Sequence, residues 1–267
     1  MLEYINQSLV SQWEKCPESV RRSHFLNERM PPGIAARIGT GLHKGSEYNH
    51  TKKMITGIDE PESVICDVAR DSYVSACMKG VFFPPEEVSA SKKNLAQGID
   101  TTVGLARLYR KKLAPRIFPE YVEQEIWMPS DFGIPYRGTL DILTTDEWLP
   151  DIKTAGARWG VNKVFSYFPQ YALYPELVYH YAGFMPKKIS FEVFVKNKTP
   201  VHQSVEVDTE YHRQNFINFN EKVGIMLQMI KAGIFPPAES GHWKCSPKWC
   251  GYFWTCRYIP EHRKNHR

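Results

Sequence analysis

The residues best suited to chemistry lie in one short stretch, Gly138-Thr139-Leu140-Asp141 followed by Asp151-Ile152-Lys153-Thr154. If Thr145-Asp146-Glu147 forms a turn centred on residue 146, Asp141 and Asp151 each stand five residues from the centre and face one another across an antiparallel hairpin. Opposed Cβ atoms lie about 4.5–5.5 Å apart, and like charges that close repel unless something positive sits between them. Period-two alternation puts Lys153 on the same face and Ile152 on the other. Two carboxylates and an ammonium thus converge. Hard divalent cations such as Mg²⁺ take oxygen ligands of this kind, and coordination lowers the pKa of a water so that it can attack an electrophile. The competing reading is a surface salt-bridge ladder of little energetic value.

Other elements must support that hairpin. Ala35, Gly39, His43 and Glu47 recur every fourth residue and lie along one face of a helix read over Ile34 to Met54. Small residues there permit close backbone approach, and His43 projects from the stripe either as a packed core residue or as a ligand. Gly39, Gly41 and Gly45 weaken that helix, each by about 1 kcal/mol relative to Ala. Further helices are read over Ser8 to Lys15, stopped by Pro17, and over Glu86 to Leu113, Val161 to Tyr181 and Thr209 to Ala232. Strands are read over Tyr121 to Met128, Ile134 to Thr144, Glu147 to Thr154, Ile189 to Val195 and His202 to Val207. The order implies an α/β fold: a mixed central sheet flanked by helices, with three meandering strands, a helical crossover and then two more. One domain is expected over 1-267, with a helical region over 1-120, the sheet core over 121-210, and a last helix and cysteine-rich end over 211-267.

Composition is that of an ordinary globular chain: 267 residues, 42% apolar, 24% charged, net +5. That excludes collagens, disulfide miniproteins and disordered tails. No stretch approaches the roughly 20 uninterrupted apolar residues of a membrane span, and the segment from Met1 to Cys16 lacks a basic run followed by an apolar one. A soluble protein of the cytoplasm, with no membrane partner, is expected. The charge is uneven. From Gly241 onward, Lys244, Lys248, Arg257, Arg263, Lys264 and Arg267 stand against Glu261 alone, a net +5 that equals the excess of the whole chain. Trp243, Trp249, Tyr252, Phe253, Trp254 and Tyr258 are interleaved with them. Such a mixture suits phosphate neutralisation and base stacking, or else a solvated tail beside an aromatic mini-core.

The six cysteines of a reducing compartment call for an explanation other than disulfides. Cys245-x4-Cys250-x5-Cys256 offers three soft ligands, one short of the four that a tetrahedral zinc or a four-iron cluster needs. The fourth must come from elsewhere. Cys66 and Cys77 read as buried apolar residues.

Together these pieces resemble the RecB-like branch of the PD-(D/E)XK nuclease superfamily. The likeness rests on an ordered series: Gly39-x3-His43, Gly138-x2-Asp141, Asp151-Ile152-Lys153 and Gln170-x3-Tyr174. It implies a restriction-endonuclease-like core and a Mg²⁺- or Mn²⁺-dependent DNA nuclease, an exonuclease of DNA processing, recombination or repair. His43, Asp141 and Asp151 would be metal ligands with the Ile152 carbonyl; Asp141, Asp151 and Lys153 would carry catalysis, and Gln170 and Tyr174 would contact the substrate. Glu125, on the preceding strand, is a further candidate acid. Leu140 stands where the nominal motif has Pro, and Pro175 directly after Tyr174 should kink or end its helix. Members of this branch, among them exonucleases of CRISPR adaptation and nuclease domains of bacterial recombination complexes, clamp a [4Fe-4S] cluster between one early and three late cysteines. Cys16 matches the early one. The first late pair departs from the commoner Cys-x2-Cys, so zinc or an empty thiol cluster stays open, with His242 as substitute ligand. The alternatives in function are a non-catalytic, zinc-stapled nucleic-acid-binding module and a restriction-type endonuclease. A helicase or recombination partner, and the oligomeric state, are left open.

Overall fold

A computed structural model describes residues 2–260; Glu261, Arg263, Lys264 and Arg267 of the basic end lie outside the described residues. Asn6 opens α1 (Gln7–Lys15) by accepting the Leu9 N–H at 2.8 Å, and the helix buries Leu9, Val10 and Trp13. Pro17, which cannot continue a helix, starts the short α2 (Pro17–Val20), so Cys16 is left in extended backbone at the break between the two.

The long α3 (Ile34–Thr56) runs through all three of its inner glycines and ends at Gly57, whose φ of 76° suits a residue without a side chain. The glycines cost propensity but permit contact. A Cβ on Gly41 would stand 2.7 Å from the Ala69 carbonyl oxygen, and one on Gly45 would stand 3.2 Å from that of Ile65. Both acceptors belong to α4 (Glu62–Met78), a helix absent from the sequence reading. Its buried face, Ile65, Ala69, Tyr73 and Ala76, keeps helical spacing but is half alanine, so its apolar signal is faint. The segment read as one helix over Glu86 to Leu113 is a 3₁₀ turn followed by α5 (Ser91–Lys112).

Five strands follow: β1 (Pro119–Met128), β2 (Tyr136–Thr144), β3 (Trp148–Ala155), β4 (Lys188–Val195) and β5 (Val201–Val207). Between β3 and β4 lie a 3₁₀ turn (Val161–Tyr167) and α6 (Phe168–Ala182), and α7 (His212–Lys231) comes after β5. The class is as expected, a mixed α/β fold. β1 and β2 pair antiparallel, β3 and β4 pair parallel across the α6 crossover, and β4 and β5 pair antiparallel. The continuous β2–β3 hairpin ladder expected from sequence is absent among the described residues; the strands form a two-stranded and a three-stranded sheet. Local competition explains the break. Thr145 N–H donates to the Phe118 carbonyl, and the Thr144 hydroxyl stands in for a ladder rung by accepting the Trp148 N–H at 2.9 Å.

Helices cover both faces of the strands. Ile142, Trp148, Ile152 and Phe194 pack with Leu42, Ile65, Tyr73, Leu105 and Tyr109 of α3, α4 and α5. Leu140, Leu143, Leu149 and Ile189 pack with α1, α6 and α7. Among the described residues no helix is long and apolar enough to cross a membrane.

Candidate active site

The site forms where α3, β1, β2, β3 and α6 meet. In the β1–β2 register, Val122 faces Ile142 and Gln124 faces Leu140, which brackets Glu123 opposite Asp141. Glu123 has a left-handed φ of 49°, a conformation that a non-glycine residue holds only when its surroundings impose it. From α3, His43 places Nδ1 3.3 Å from Asp141 Oδ2. Ligand atoms of His43, Glu123 and Asp141 all lie within 4.8 Å of one another, each half-buried. One imidazole and two carboxylates are the donor set of a divalent cation.

Asp151 and Lys153 stand beside this trio on β3. Asp151 is buried; Gln170 on α6 donates to its Oδ1, and the Lys153 ammonium lies 2.5 Å from its Oδ2. That buried Oδ2 has no well-aligned hydrogen-bond donor, so it retains capacity to ligate. Ile152 turns its side chain into the opposite core and meets the site through its backbone, its N–H donating to Asp141 Oδ2 at 3.4 Å. Thus Asp141 and Asp151 converge through side-chain and main-chain contacts without a ladder between their strands.

Tyr174 lies one turn beyond Gln170, and both are buried along a narrow cleft with Asp141 and Asp151. α6 continues through Pro175, so the expected stop is not there. Gly138 admits the helix: a Cβ at that position would stand 3.3 Å from Tyr174 Cε1 and closer still to Leu177. On the far side of Lys153, the Tyr167 ring centre is 5.5 Å from the ammonium and that of Phe191 is 5.9 Å, distances suited to cation–π attraction.

The electrostatics describe a pocket short of positive charge. Burial, then Asp141 and Glu47, push the Glu123 carboxyl up to about 7, against the pull of Lys44 and His43. Burial also raises Asp151, with Lys153 opposing and Asp141 reinforcing the shift. Burial disfavours the Lys153 ammonium, but Asp151 and Asp141 outweigh it and hold its pKa above the ordinary value. The Tyr174 phenol is raised by burial and by the same two carboxylates.

Glu125 sits apart from this group. It is exposed and paired with the Arg137 guanidinium, whose Nε is 2.8 Å away, and it accepts the Trp127 indole N–H. Sequence reasoning missed Glu123. The signal was available: a turn centred on Phe132 opposes residues 123 and 141 by the symmetry argument applied to Asp141 and Asp151.

A second constellation lies away from the acids. Cys16, Cys245, Cys250 and Cys256 line one cavity of about 1160 Å³. Burial raises the Cys250 thiol; the Tyr252 backbone opposes this, and Cys16, Cys256 and Cys245 add to it, so the four sulphurs share one neighbourhood. Among the described residues no three of them fall within 4.8 Å of one another. His242 lines the same cavity, but its Nδ1 accepts the Lys244 N–H at 3.2 Å. Cys66 is buried; Cys77 is half-buried.

The fold is similar to that of a crystallographically solved "Putative exonuclease" from Eubacterium rectale, with a TM-score of 0.62 over 97% of this chain and 90% of that one, at 13% sequence identity. At that identity the likeness is one of fold. No protein-family profile and no curated protein sequence matches the chain.

Proposed function

We propose that this protein is a divalent-metal-dependent DNA nuclease, acting as an exonuclease in DNA processing, recombination or repair. The observation that carries the reading is the convergence of His43, Glu123 and Asp141 beside the Asp151–Lys153 pair. The likeness in fold to a protein described as an exonuclease supports it. His43, Glu123 and Asp141 would hold Mg²⁺ or Mn²⁺, with Asp151 Oδ2 as a further ligand. When bound, such an ion supplies Lewis-acid charge at a phosphoryl group and lowers the pKa of a water. Lys153, kept protonated by its carboxylates, stabilises negative charge that develops on the phosphoryl oxygens. Gln170 fixes the rotamer of Asp151, and Tyr174 closes the cleft. A non-catalytic nucleic-acid module would have no use for two half-buried acids, a buried one and a half-buried ammonium at one point.

By the same family resemblance, Cys16, Cys245, Cys250 and Cys256 would hold a [4Fe-4S] cluster, with zinc as the alternative occupant of the four thiols that line one cavity. The cluster would be structural, fastening the C-terminal segment to the α1–α2 junction.

The test uses end-labelled linear and covalently closed circular DNA, single- and double-stranded, with Mg²⁺, Mn²⁺ or chelator. Metal-dependent shortening of linear DNA with circles untouched is expected, whereas cleavage of circles indicates an endonuclease. Asp141→Ala and Lys153→Ala should each abolish cleavage with folding nearly intact. Full activity in both would sink the reading.

A further inference from the structure

The β1–β2 ladder leads from the acid site to an aromatic cluster that the proposed chemistry does not use. On β2, Arg137, Thr139 and Asp141 are half-buried and alternate with buried Gly138 and Leu140, so the three share one face. The register sets Glu125 opposite Thr139 and Trp127 opposite Arg137, the next two pairs along from Glu123 and Asp141. Four residues at about 3.4 Å each put the Trp127–Arg137 pair about 13 Å from Asp141, the length of about four stacked nucleotides.

Every member of the cluster is tied to the next. Glu125 accepts the Trp127 indole N–H at 2.8 Å on one carboxylate oxygen and the Arg137 Nε–H at 2.8 Å on the other. The Arg137 guanidinium carbon lies 5.3 Å from the Trp127 ring centre and 4.6 Å from that of Tyr4, and the two rings meet edge to face at 5.7 Å. A hydrogen bond, a cation and a second ring thus hold the indole, yet it is 46% exposed. A tryptophan fixed this firmly while half in water forgoes much of the burial energy that its size offers, and presents a rigid ring to solvent. Because Glu125 neutralises Arg137, the cluster offers that ring without net charge. Unpaired nucleobases stack on such rings, whereas a duplex keeps its bases out of their reach.

We propose that Trp127, held by Glu125 and Arg137, is a stacking platform for an unpaired base of a DNA strand that enters the acid site. The strand's destination rests on the nuclease reading; the platform itself does not. The competing role, stapling the N-terminal segment through Tyr4, is filled without the indole. Ile5 is fully buried, its N–H donates to the Pro135 carbonyl at 2.9 Å, and its carbonyl accepts the Arg137 N–H at 2.9 Å.

The experiment measures anisotropy of a fluorescein-labelled oligo(dT) of about 20 nucleotides with the intact protein as salt is varied, with Ca²⁺ present to occupy the oxygen ligands. Trp127→Ala should weaken binding by about 5-fold or more and leave the slope of log K against log salt unchanged, and Trp127→Phe should recover most of the loss. In the unmodified protein, a bromouracil-substituted strand should photocross-link to Trp127, which keeps the test independent of variant folding. Wild-type affinity in Trp127→Ala, a changed slope, no recovery by Trp127→Phe, an equal loss on a blunt duplex, or cross-links that avoid Trp127 overturn the platform. So does a wild type that binds no oligonucleotide, which leaves the exposed indole to a protein partner. Wild-type hydrolysis of bis(p-nitrophenyl) phosphate with Mn²⁺, an ester too small to reach Trp127, separates the two readings. Its absence, with oligonucleotide binding dependent on Trp127, overturns the nuclease and leaves the platform; its presence, with binding indifferent to Trp127→Ala, does the reverse.

Discussion

Replacing Glu123 by Gln should make the metal-free protein more stable at pH 8, although a half-buried residue of the candidate site is being altered. The carboxyl rises from an ordinary 4.5 to about 7 because burial and neighbouring acids oppose its charge. Between those values the folded chain binds more protons at this position than the unfolded chain, so the wild type loses stability as pH rises from 4.5 through 7. A shift of this size corresponds to about 3 kcal/mol, and solvent screening at a half-buried position reduces it to ~1–2 kcal/mol. Glutamine keeps the shape and removes the charge. At pH 8 the variant should therefore melt about 2–5 °C above wild type, and at pH 5, where the wild-type carboxyl is already neutral, the two should coincide. Saturating Mn²⁺ should reverse the order at pH 8, since the wild type gains binding energy that the variant lacks. Thermal melts at both pH values, with and without Mn²⁺, make the check. A metal-free variant less stable than wild type at pH 8, or a gap independent of pH, would refute the reasoning.

Other expectations test other levels of the structure. Gly41→Ala should cost about 1–3 kcal/mol in denaturant melts despite its better helix propensity, because the new Cβ meets Thr102 Cγ2 at 2.6 Å and the Ala69 carbonyl at 2.7 Å. Gly39→Ala, whose Cβ stands 3.4 Å from Thr154 Oγ1, should be neutral or stabilising. His50 is buried against the Tyr109 hydroxyl at 2.8 Å and its pKa is pushed down to about 3, chiefly by burial. The unfolded chain therefore takes the proton first as pH falls below 6.5, and this residue costs about 2 kcal/mol of stability between pH 6.5 and 5. His50→Phe should remove that dependence, and the difference between variant and wild-type pH profiles isolates it from the opposite contribution of Glu123. Cys16→Ser should abolish iron and sulphide content in anaerobically purified protein and lower the melting temperature; unchanged metal content would separate Cys16 from the other three cysteines.

How legible the site was depended on how local its signals were. Asp141, Asp151 and Lys153 sit ten and two residues apart, so a turn between strands and their alternation brought them near each other, whereas Gln170 and Tyr174 came only from the family resemblance. The contact between β2 and β3 was anticipated, but its form was not: Thr144 and Phe118 take the hydrogen bonds that a ladder would use. Glu123 was hidden because regular alternation along β1 gives no reason to prefer it to Glu125, and only the left-handed backbone and the pairing with β2 single it out. α4 escaped for an energetic reason: its stability comes from close approach to Gly41 and Gly45 on another helix and not from an apolar stripe of its own. Likewise, one cysteine at a helix break and three near the other end meet only through tertiary structure.

The most direct test of a cation held by His43, Glu123 and Asp141 is electron paramagnetic resonance of Mn²⁺ titrated into the protein at pH 8. Loss of the free-ion signal at one equivalent or more in wild type, and its persistence in His43→Ala and Asp141→Ala, is the expected result. Equal uptake of Mn²⁺ by wild type and both variants would contradict the account.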